Sequence, residues 1–277
     1  MRWFRLDLEY DGTEFLGWQR QPEGRTVQRT LEEALSRIFG GETPVDGAAR
    51  TDAGVHAAAQ CARFCVERPI PLKGLVYRLN ELLPRDVSVW RAWEAEEAFH
   101  PRYGVQSKTY TYLLRTGPCR SPLSERYTWQ LWGESLDLEA MRRACSLLEG
   151  EHDFRSFSRG KDAEDCTVRR LDLCTIQPVE GLGWRVDLKG RGFLYRMARM
   201  IVGTLVEVGR RRSDSDAVQR LLDDPVGGSG GPTAPAQGLC LTEILYPPPW
   251  DEASARPRWP FSSCRRGFSL IPWILEP

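Results

Sequence analysis

The chain has 277 residues, 41% hydrophobic and 27% charged, which is the composition of a globular protein with one large or two packed domains. Its 38 basic and 38 acidic residues balance to zero, which argues against a strongly basic nucleic-acid binder. No apolar run approaches the roughly 18 residues of a transmembrane helix, and the amino terminus does not resemble a signal peptide, so we expect a cytoplasmic protein with no membrane contact.

The first half of the chain predicts three strands and two helices. Alternating apolar residues over 4–10 predict a strand buried on one face. An apolar stripe predicts a helix over 26–41, with Thr26 as its N-cap and Gly40 near its end. The other predicted elements are strands over 58–67 and 87–96 and a helix over 71–84, and residues 44–54 are expected to pass from a strand into a loop.

The second half repeats this mixture of strands and helices. A short helix over 215–224 is expected to be capped by Ser213 or Ser215. The remaining predictions are a strand over 107–117, a helix over 135–150, a hairpin of strands over 167–179 and 183–190, a helix over 192–209 and a last strand over 238–247. Hairpins mixed with helices indicate an α+β fold, with helices on one face of a largely antiparallel sheet.

Residues 48–57, "AARTDAGVHA", place Arg50 and Asp52 among small residues. An adjacent guanidinium lowers the pKa of a carboxyl group, which suits Asp52 to act as a nucleophile or charge stabiliser. The small neighbours would let a bulky substrate approach. The alternative is a surface ion pair in a turn, worth at most about 1 kcal/mol.

Other common reaction classes lack their motifs in this sequence. There is no HExxH zinc pair, no GxSxG elbow, no P-loop and no GxGxxG after a strand, and the eight cysteines lack metal-binding spacing. We therefore expect a reaction without cofactor or metal, centred on one carboxylate.

Seven ordered blocks resemble the TruA family of tRNA pseudouridine synthases. The blocks are "EYDGTEFLGWQRQ" (9–21), "TVQ" (26–28), "ARTDAGVHA" (49–57), "FHPR" (99–102), "KTYTY" (108–112), "GFLYRMARMIVGTLVEVG" (192–209) and "GPTAPAQGL" (231–239). The resemblance implies two α+β halves that form a continuous sheet with a cleft between them. The corresponding division is 1–106, 107–246 and a Pro- and Trp-rich tail, 247–277, outside the family core.

The resemblance also implies an activity and a partner. A homodimer would bind tRNA and convert uridine to pseudouridine at positions 38–40 of the anticodon stem-loop. Asp52 would be the essential carboxylate, acting by attack on the ribose or by a glycal route, and Arg50 could fill the space left by the flipped nucleotide. Tyr110 would stack on the target base, although a core tyrosine is the other interpretation. Arg199 would lie beside Asp52, or else be a solvated residue on a helix surface.

Three further residues are weaker candidates for contact with RNA, and Ala49 departs from the family pattern. Arg20, His100 and Arg102 are possible RNA contacts. Ala49 stands where the family usually has glycine, and it would be strained if that backbone required a positive φ. Two other functions are kept open: a non-catalytic tRNA-binding protein on the same scaffold, and a sugar hydrolase that uses Asp52.

Overall fold

The computed structural model describes residues 1–67, 70–159 and 166–250. Over these residues the strands are β1 (Arg2–Tyr10), β2 (Asp46–Gly47), β3 (His56–Val66), β4 (Val87–Ala95), β5 (Ser107–Arg115), β6 (Trp129–Gln130), β7 (Gly150–Asp153), β8 (Val168–Val179), β9 (Gly183–Gly190) and β10 (Leu239–Leu245). The helices are α1 (Val27–Phe39), α2 (Leu72–Leu82), α3 (Leu138–Leu148), α4 (Met197–Gly209) and α5 (Ser215–Asp223). Short 3-10 turns occur at Glu125–Tyr127, Arg155–Phe157 and Ala236–Gly238.

The fold is mixed α+β with a ten-stranded, mostly antiparallel sheet, as the sequence predicts. Two of its pairings, β3 with β10 and β5 with β6, are parallel. The chain divides into two compact units. Within the described residues, unit 1 comprises 1–110, 190–192 and 239–250, and unit 2 comprises 111–189 and 193–238. The last strand thus lies in unit 1, whereas the sequence-based division assigned it to the second half.

Unit 1 contains strands in the order β4-β1-β3-β10, followed by the start of β5. The prediction that β1 is buried on one face only is wrong. Phe4 and Leu6 are fully buried, but Arg5 and Asp7 on the other face are also buried and form a 3.1 Å ion pair. Aromatic rings cover that face, and the Arg5 guanidinium lies 4.2 Å from the Trp93 ring centroid.

Residue Trp250, predicted to belong to an appendage, packs within unit 1. Its ring meets Phe99 edge-on at 5.7 Å, and its carbonyl oxygen accepts a 2.8 Å hydrogen bond from Arg5. The other two tryptophans of the tail, Trp259 and Trp273, lie outside the described residues. The segment after β10 therefore begins as part of the aromatic cover over β1.

Unit 2 contains β5-β9-β8-β7, with α3 packed on β8, α4 and α5. The predicted hairpin is confirmed, and Gly181 at φ 69° allows its tight turn. Helix α4 begins at Met197, five residues later than predicted, because Arg196 at its N-cap adopts a left-handed φ of 61°. None of the helices in the described part of the chain combines the length and the apolar composition that a membrane span requires.

Thr26 occupies the predicted N-cap position of α1 but not with the expected side-chain bond, and the predicted cap of α5 is wrong. The side chain of Thr26 forms no capping hydrogen bond, although α1 starts directly after it and ends at a left-handed Gly40 as expected. Helix α5 is capped by Asp214, whose carboxylate accepts a 2.6 Å hydrogen bond from the Ala217 N–H. A carboxylate at this position also interacts favourably with the positive end of the helix dipole.

Candidate active site

The Asp52 side chain lies in the loop that connects β2 to β3 in unit 1, and it is half-buried. The Val55 N–H donates a 3.2 Å hydrogen bond to the Asp52 carbonyl oxygen, and Gly54 has φ 77°. These features make residues 52–55 a tight turn in which glycine supplies the positive φ. The turn holds Asp52 just before the start of β3, without bulky side chains on either side of it in the sequence.

Two glycines of the first sequence block pack directly against this loop. A Cβ on Gly17 would lie 2.5 Å from the Thr51 carbonyl oxygen, and one on Gly12 would lie 2.0 Å from that of Val55. The Trp18 N–H also donates to the Thr51 carbonyl oxygen at 3.1 Å. The blocks around residues 9–21 and 49–57 are therefore one interlocked structure, and the glycines are required because the two backbones touch.

A buried amide holds the start of the loop. Gln60, which is fully buried on β3, accepts a 3.2 Å hydrogen bond from the Ala49 N–H and donates a 2.8 Å bond to the Ala49 carbonyl oxygen. Its Nε2 also lies 3.3 Å from the Tyr10 hydroxyl, which is 2.8 Å from Thr51 Oγ1. This network fixes the three residues before Asp52 to β1 and β3.

The expected strain at Ala49 does not occur. Among the described residues, only Arg196 and Arg211 have a positive φ without being glycine. Ala49 is buried and both of its backbone polar groups bond Gln60, so alanine fits this position.

The Tyr110 ring is buried in unit 1, close enough to Asp52 for the carboxylate to affect its ionisation. Burial raises the pKa of Tyr110 far above its ordinary value, and the charges of Tyr10 and Asp52 raise it further. Tyr110 is therefore an uncharged ring near the carboxylate. Tyr112, two residues later, lies in unit 2 and donates a 2.8 Å hydrogen bond to the Pro235 carbonyl oxygen, as a core tyrosine does.

The two arginines predicted for the site differ in exposure. Arg50 is exposed at the loop, two residues before Asp52. Arg199 lies on α4 in unit 2, where it is half-buried and its Nε donates a 2.8 Å hydrogen bond to the Ala234 carbonyl oxygen. Its positive charge partly offsets the burial that raises the pKa of Tyr112. The Arg199 side chain is therefore fixed by a hydrogen bond and is not freely solvated.

The three weaker candidates lie in unit 1 on exposed or half-buried positions. The side chain of Arg20 is 58% exposed and forms a 3.2 Å ion pair with Glu32, which reduces its availability to a phosphate. His100 Nδ1 accepts a 3.1 Å hydrogen bond from the Arg102 N–H. Burial, followed by the charge of Arg63, lowers the pKa of His100, so the ring is neutral near pH 7. Arg102 is exposed, so among these three residues it is the most suitable to contact a phosphate.

Several residues that shape the site were not among the predicted ones. Gln60 could have been noticed as a polar residue inside an apolar strand, because buried amides require partners. Lys108 gave no comparable signal: its Nζ donates a 2.7 Å hydrogen bond to the Ala48 carbonyl oxygen. Burial, assisted by the charge of Arg102, lowers the pKa of Lys108 to about 8.

Comparison with known proteins agrees with the resemblance. A family model described as "tRNA pseudouridine synthase" matches residues 8–104 and 144–247, which include Asp52 and Arg199 but not Tyr110. Proteins with the name tRNA pseudouridine synthase A match nearly the whole chain. The relative from Geobacter sp. (strain M21) is 45% identical over 249 residues, which are 89% of this chain and 100% of that protein.

Two further relatives and one solved structure extend the comparison. The protein from Citrifermentans bemidjiense is 45% identical and covers 89% of this chain and 98% of its own length. That from Myxococcus xanthus is 41% identical and covers 87% of this chain and 91% of its own length. A chain from "Crystal Structure of a Cbf5-Nop10-Gar1 Complex" is 13% identical, has a TM-score of 0.34, and covers 86% of this chain and 48% of its own length. On the family model and the curated relatives, the present chain belongs to the tRNA pseudouridine synthase family and is an isomerase.

Proposed function

We propose that this chain converts uridine to pseudouridine at positions 38–40 of the tRNA anticodon stem-loop, with Asp52 as the essential carboxylate. The observation that carries the proposal is the half-buried Asp52 at a glycine-supported turn, near the uncharged ring of Tyr110. The names of the relatives support tRNA as the substrate. The tRNA substrate also supports a cytoplasmic location.

The proposed reaction moves one glycosidic bond from nitrogen to carbon. The bond between ribose C1′ and uracil N1 breaks, the uracil turns, and a bond forms between C1′ and C5. The C5 proton passes to solvent, and N1 takes up a proton from solvent. Asp52 either attacks C1′ and is released when C5 bonds to C1′, or removes a proton from C2′ on a glycal route, in which case C2′ regains a proton when C5 bonds to C1′. The product is an isomer of the substrate, so the net reaction consumes no oxidant, reductant or group donor.

The base must leave its stack to reach Asp52, and we assign residues to that step. Extrusion of a nucleotide costs a few kcal/mol, so groups that replace its contacts favour it. Tyr110 would stack on the target base, a task for which an uncharged aromatic ring is suited. The exposed Arg50 would enter the space left in the RNA, since a guanidinium can stack on bases.

Arg199 and the peripheral cations would assist this reaction. Arg199 would lie beside the Asp52 carboxylate, and its bond to the Ala234 carbonyl oxygen supports a fixed guanidinium. Arg102 would contact the RNA backbone, with weaker contributions from Arg20 and His100. The enzyme would act as a homodimer that binds tRNA across both subunits. A measured mass of one chain by light scattering, both with and without tRNA, would contradict the dimer.

Release of tritium from C5 of uridine tests the activity and the role of Asp52 together. An unmodified tRNA transcript labelled at C5 would be incubated with wild type, Asp52→Asn and the matched control Asp216→Asn, which alters an exposed carboxylate on α5. We expect release by wild type and Asp216→Asn, and none by Asp52→Asn although it still binds tRNA.

Other outcomes would point to the alternative functions. Bound tRNA without release by wild type would indicate a non-catalytic binder, and free uracil in place of pseudouridine would indicate a sugar hydrolase. Release by Asp52→Asn at the wild-type rate would refute the role of the carboxylate.

A further inference from the structure

A half-buried lysine, Lys108, connects the strand of Tyr110 to the loop of Asp52. Lys108 and Tyr110 are two positions apart on β5, so their side chains leave the strand on the same face. Lys108 Nζ donates its 2.7 Å hydrogen bond to the carbonyl oxygen of Ala48, four residues before Asp52. On its other side, the Ala48 N–H donates to the Cys61 carbonyl oxygen at 2.8 Å. Ala48 is therefore held between β3 and β5.

The surroundings of Lys108 disfavour its positively charged ammonium form. Burial disfavours the ammonium form, and the neighbouring Arg102 adds a second positive charge. Within the described residues, no acidic group contributes to the ionisation of Lys108. An apolar side chain would avoid the desolvation cost but would leave the buried Ala48 carbonyl oxygen without this donor.

We propose that Lys108 is a positioning residue that sets the location of the Asp52 loop relative to Tyr110 through its hydrogen bond to Ala48. The inference rests on the proposed function, because it matters only if Tyr110 and Asp52 act on the same nucleotide. Gln60 and the first-block glycines attach the loop to β1 and β3, whereas Lys108 attaches it to the strand that bears Tyr110.

The expected effect is on the chemical step and not on tRNA affinity. A misplacement of about 1 Å can reduce a rate about 100-fold when groups must align on one substrate. We therefore expect Lys108→Met, which removes the donor and keeps the length, to lower the single-turnover rate constant by about 10- to 100-fold. The dissociation constant for tRNA should change less than about threefold, because the variant keeps the arginines that we assign to contacts with RNA.

The experiment measures tritium release with enzyme in saturating excess over labelled tRNA, and filter binding at the same salt concentration. Lys108→Arg restores a charged donor and should recover most of the rate lost in Lys108→Met. Lys73→Met removes an exposed lysine on α2 and should match wild type in both measurements. Circular dichroism of each variant shows whether it is folded, and Lys108→Leu, which also lacks a donor, serves if Lys108→Met is not.

The outcomes separate this inference from the proposed function. No pseudouridine from wild type would overturn both. Wild-type turnover with an unchanged rate constant in folded Lys108→Met would overturn the role of Lys108 alone. A loss of tRNA affinity with a normal rate constant at saturation would also overturn it, because Lys108 would then be a phosphate contact.

Discussion

Replacement of Gln60 by Met removes the amide that holds the start of the Asp52 loop while it keeps an unbranched side chain of similar length. The fully buried amide makes hydrogen bonds to the Ala49 N–H and carbonyl oxygen and to the Tyr10 hydroxyl. In Gln60→Met, two backbone groups of a buried residue lose their partners. Each such group costs about 1–3 kcal/mol, so we expect the free energy of unfolding to fall by roughly 2–5 kcal/mol.

A loss of this size is a large part of the roughly 5–15 kcal/mol of stability that a typical domain has, and urea unfolding would measure it. The rate of pseudouridine formation by the folded variant should also fall, by about 10-fold or more, because Asp52 is three residues from the released Ala49. The rate must be measured with enzyme in excess, at a temperature where circular dichroism shows a folded protein.

Asn80→Leu provides the control, since Asn80 also bonds backbone groups of a helix and a strand. Its amide donates to the carbonyl oxygens of Val76 and Val89 and accepts from the Val89 N–H at 2.9 Å. We expect this variant to lose stability but keep the wild-type rate when folded. If Gln60→Met is destabilised yet isomerises uridine at the wild-type rate, the network supports the fold only, and the reasoning about loop position is refuted.

Three further predictions concern backbone fit, pH and helix capping. Gly17→Ala should cost at least about 2 kcal/mol in urea unfolding, because φ is 94° and the new Cβ would lie 2.5 Å from the Thr51 carbonyl oxygen; Gly41→Ala, with open space, should change stability by less than about 1 kcal/mol. Equal losses of stability in the two variants would contradict the close contact between residue 17 and the Thr51 carbonyl oxygen. Folding lowers the pKa of Lys108 from 10.5 to about 8, so the unfolded chain binds more protons than the folded chain between these pH values. The free energy of unfolding of wild type should therefore rise by up to about 3 kcal/mol relative to that of Lys108→Met as the pH rises from 7 to 10.5. A relative stability independent of pH would mean that Lys108 is not buried in its charged form. Asp214→Ala should lower stability by about 1 kcal/mol through loss of the α5 cap, without effect on the rate of tritium release, and an unchanged melting temperature would contradict the cap.

The helices and strands with a clear hydrophobic period could be predicted from the sequence. The shortest strands, and the burial of β1 on both of its faces, could not. Helix α3 and strand β5 have enough residues to show their period. Strand β6 has two residues, too few for any alternation, and β2 is equally short, although it lies in the predicted strand-to-loop segment 44–54. The burial of Arg5 depends on aromatic rings from distant parts of unit 1, including Trp250, which its own strand does not indicate.

The same distinction applies to the candidate site. Asp52 could be identified because the residues around it form one continuous and specific sequence block. Its supports depend on contacts between separated positions: Gln60 bonds Ala49 eleven residues away, and Lys108 bonds Ala48 sixty residues away. Such contacts follow from strand pairing, and the pairing of β3 with β10 in particular is not encoded by either strand alone.

That parallel pairing constrains the order in which the protein can be completed. Cys240 of β10 lies opposite His56, just after the Asp52 loop. Ribosomes produce the amino-terminal part of a chain first, so the loop exists long before its last neighbouring strand. Strand β2 pairs with β3 only at Ala62 and Arg63, so the start of β3 has an open edge until β10 is synthesised, and open edges can pair with other chains. The nascent chain therefore carries the residues of the Asp52 loop without the finished sheet, and the sheet of unit 1 is complete only when translation has passed Leu245.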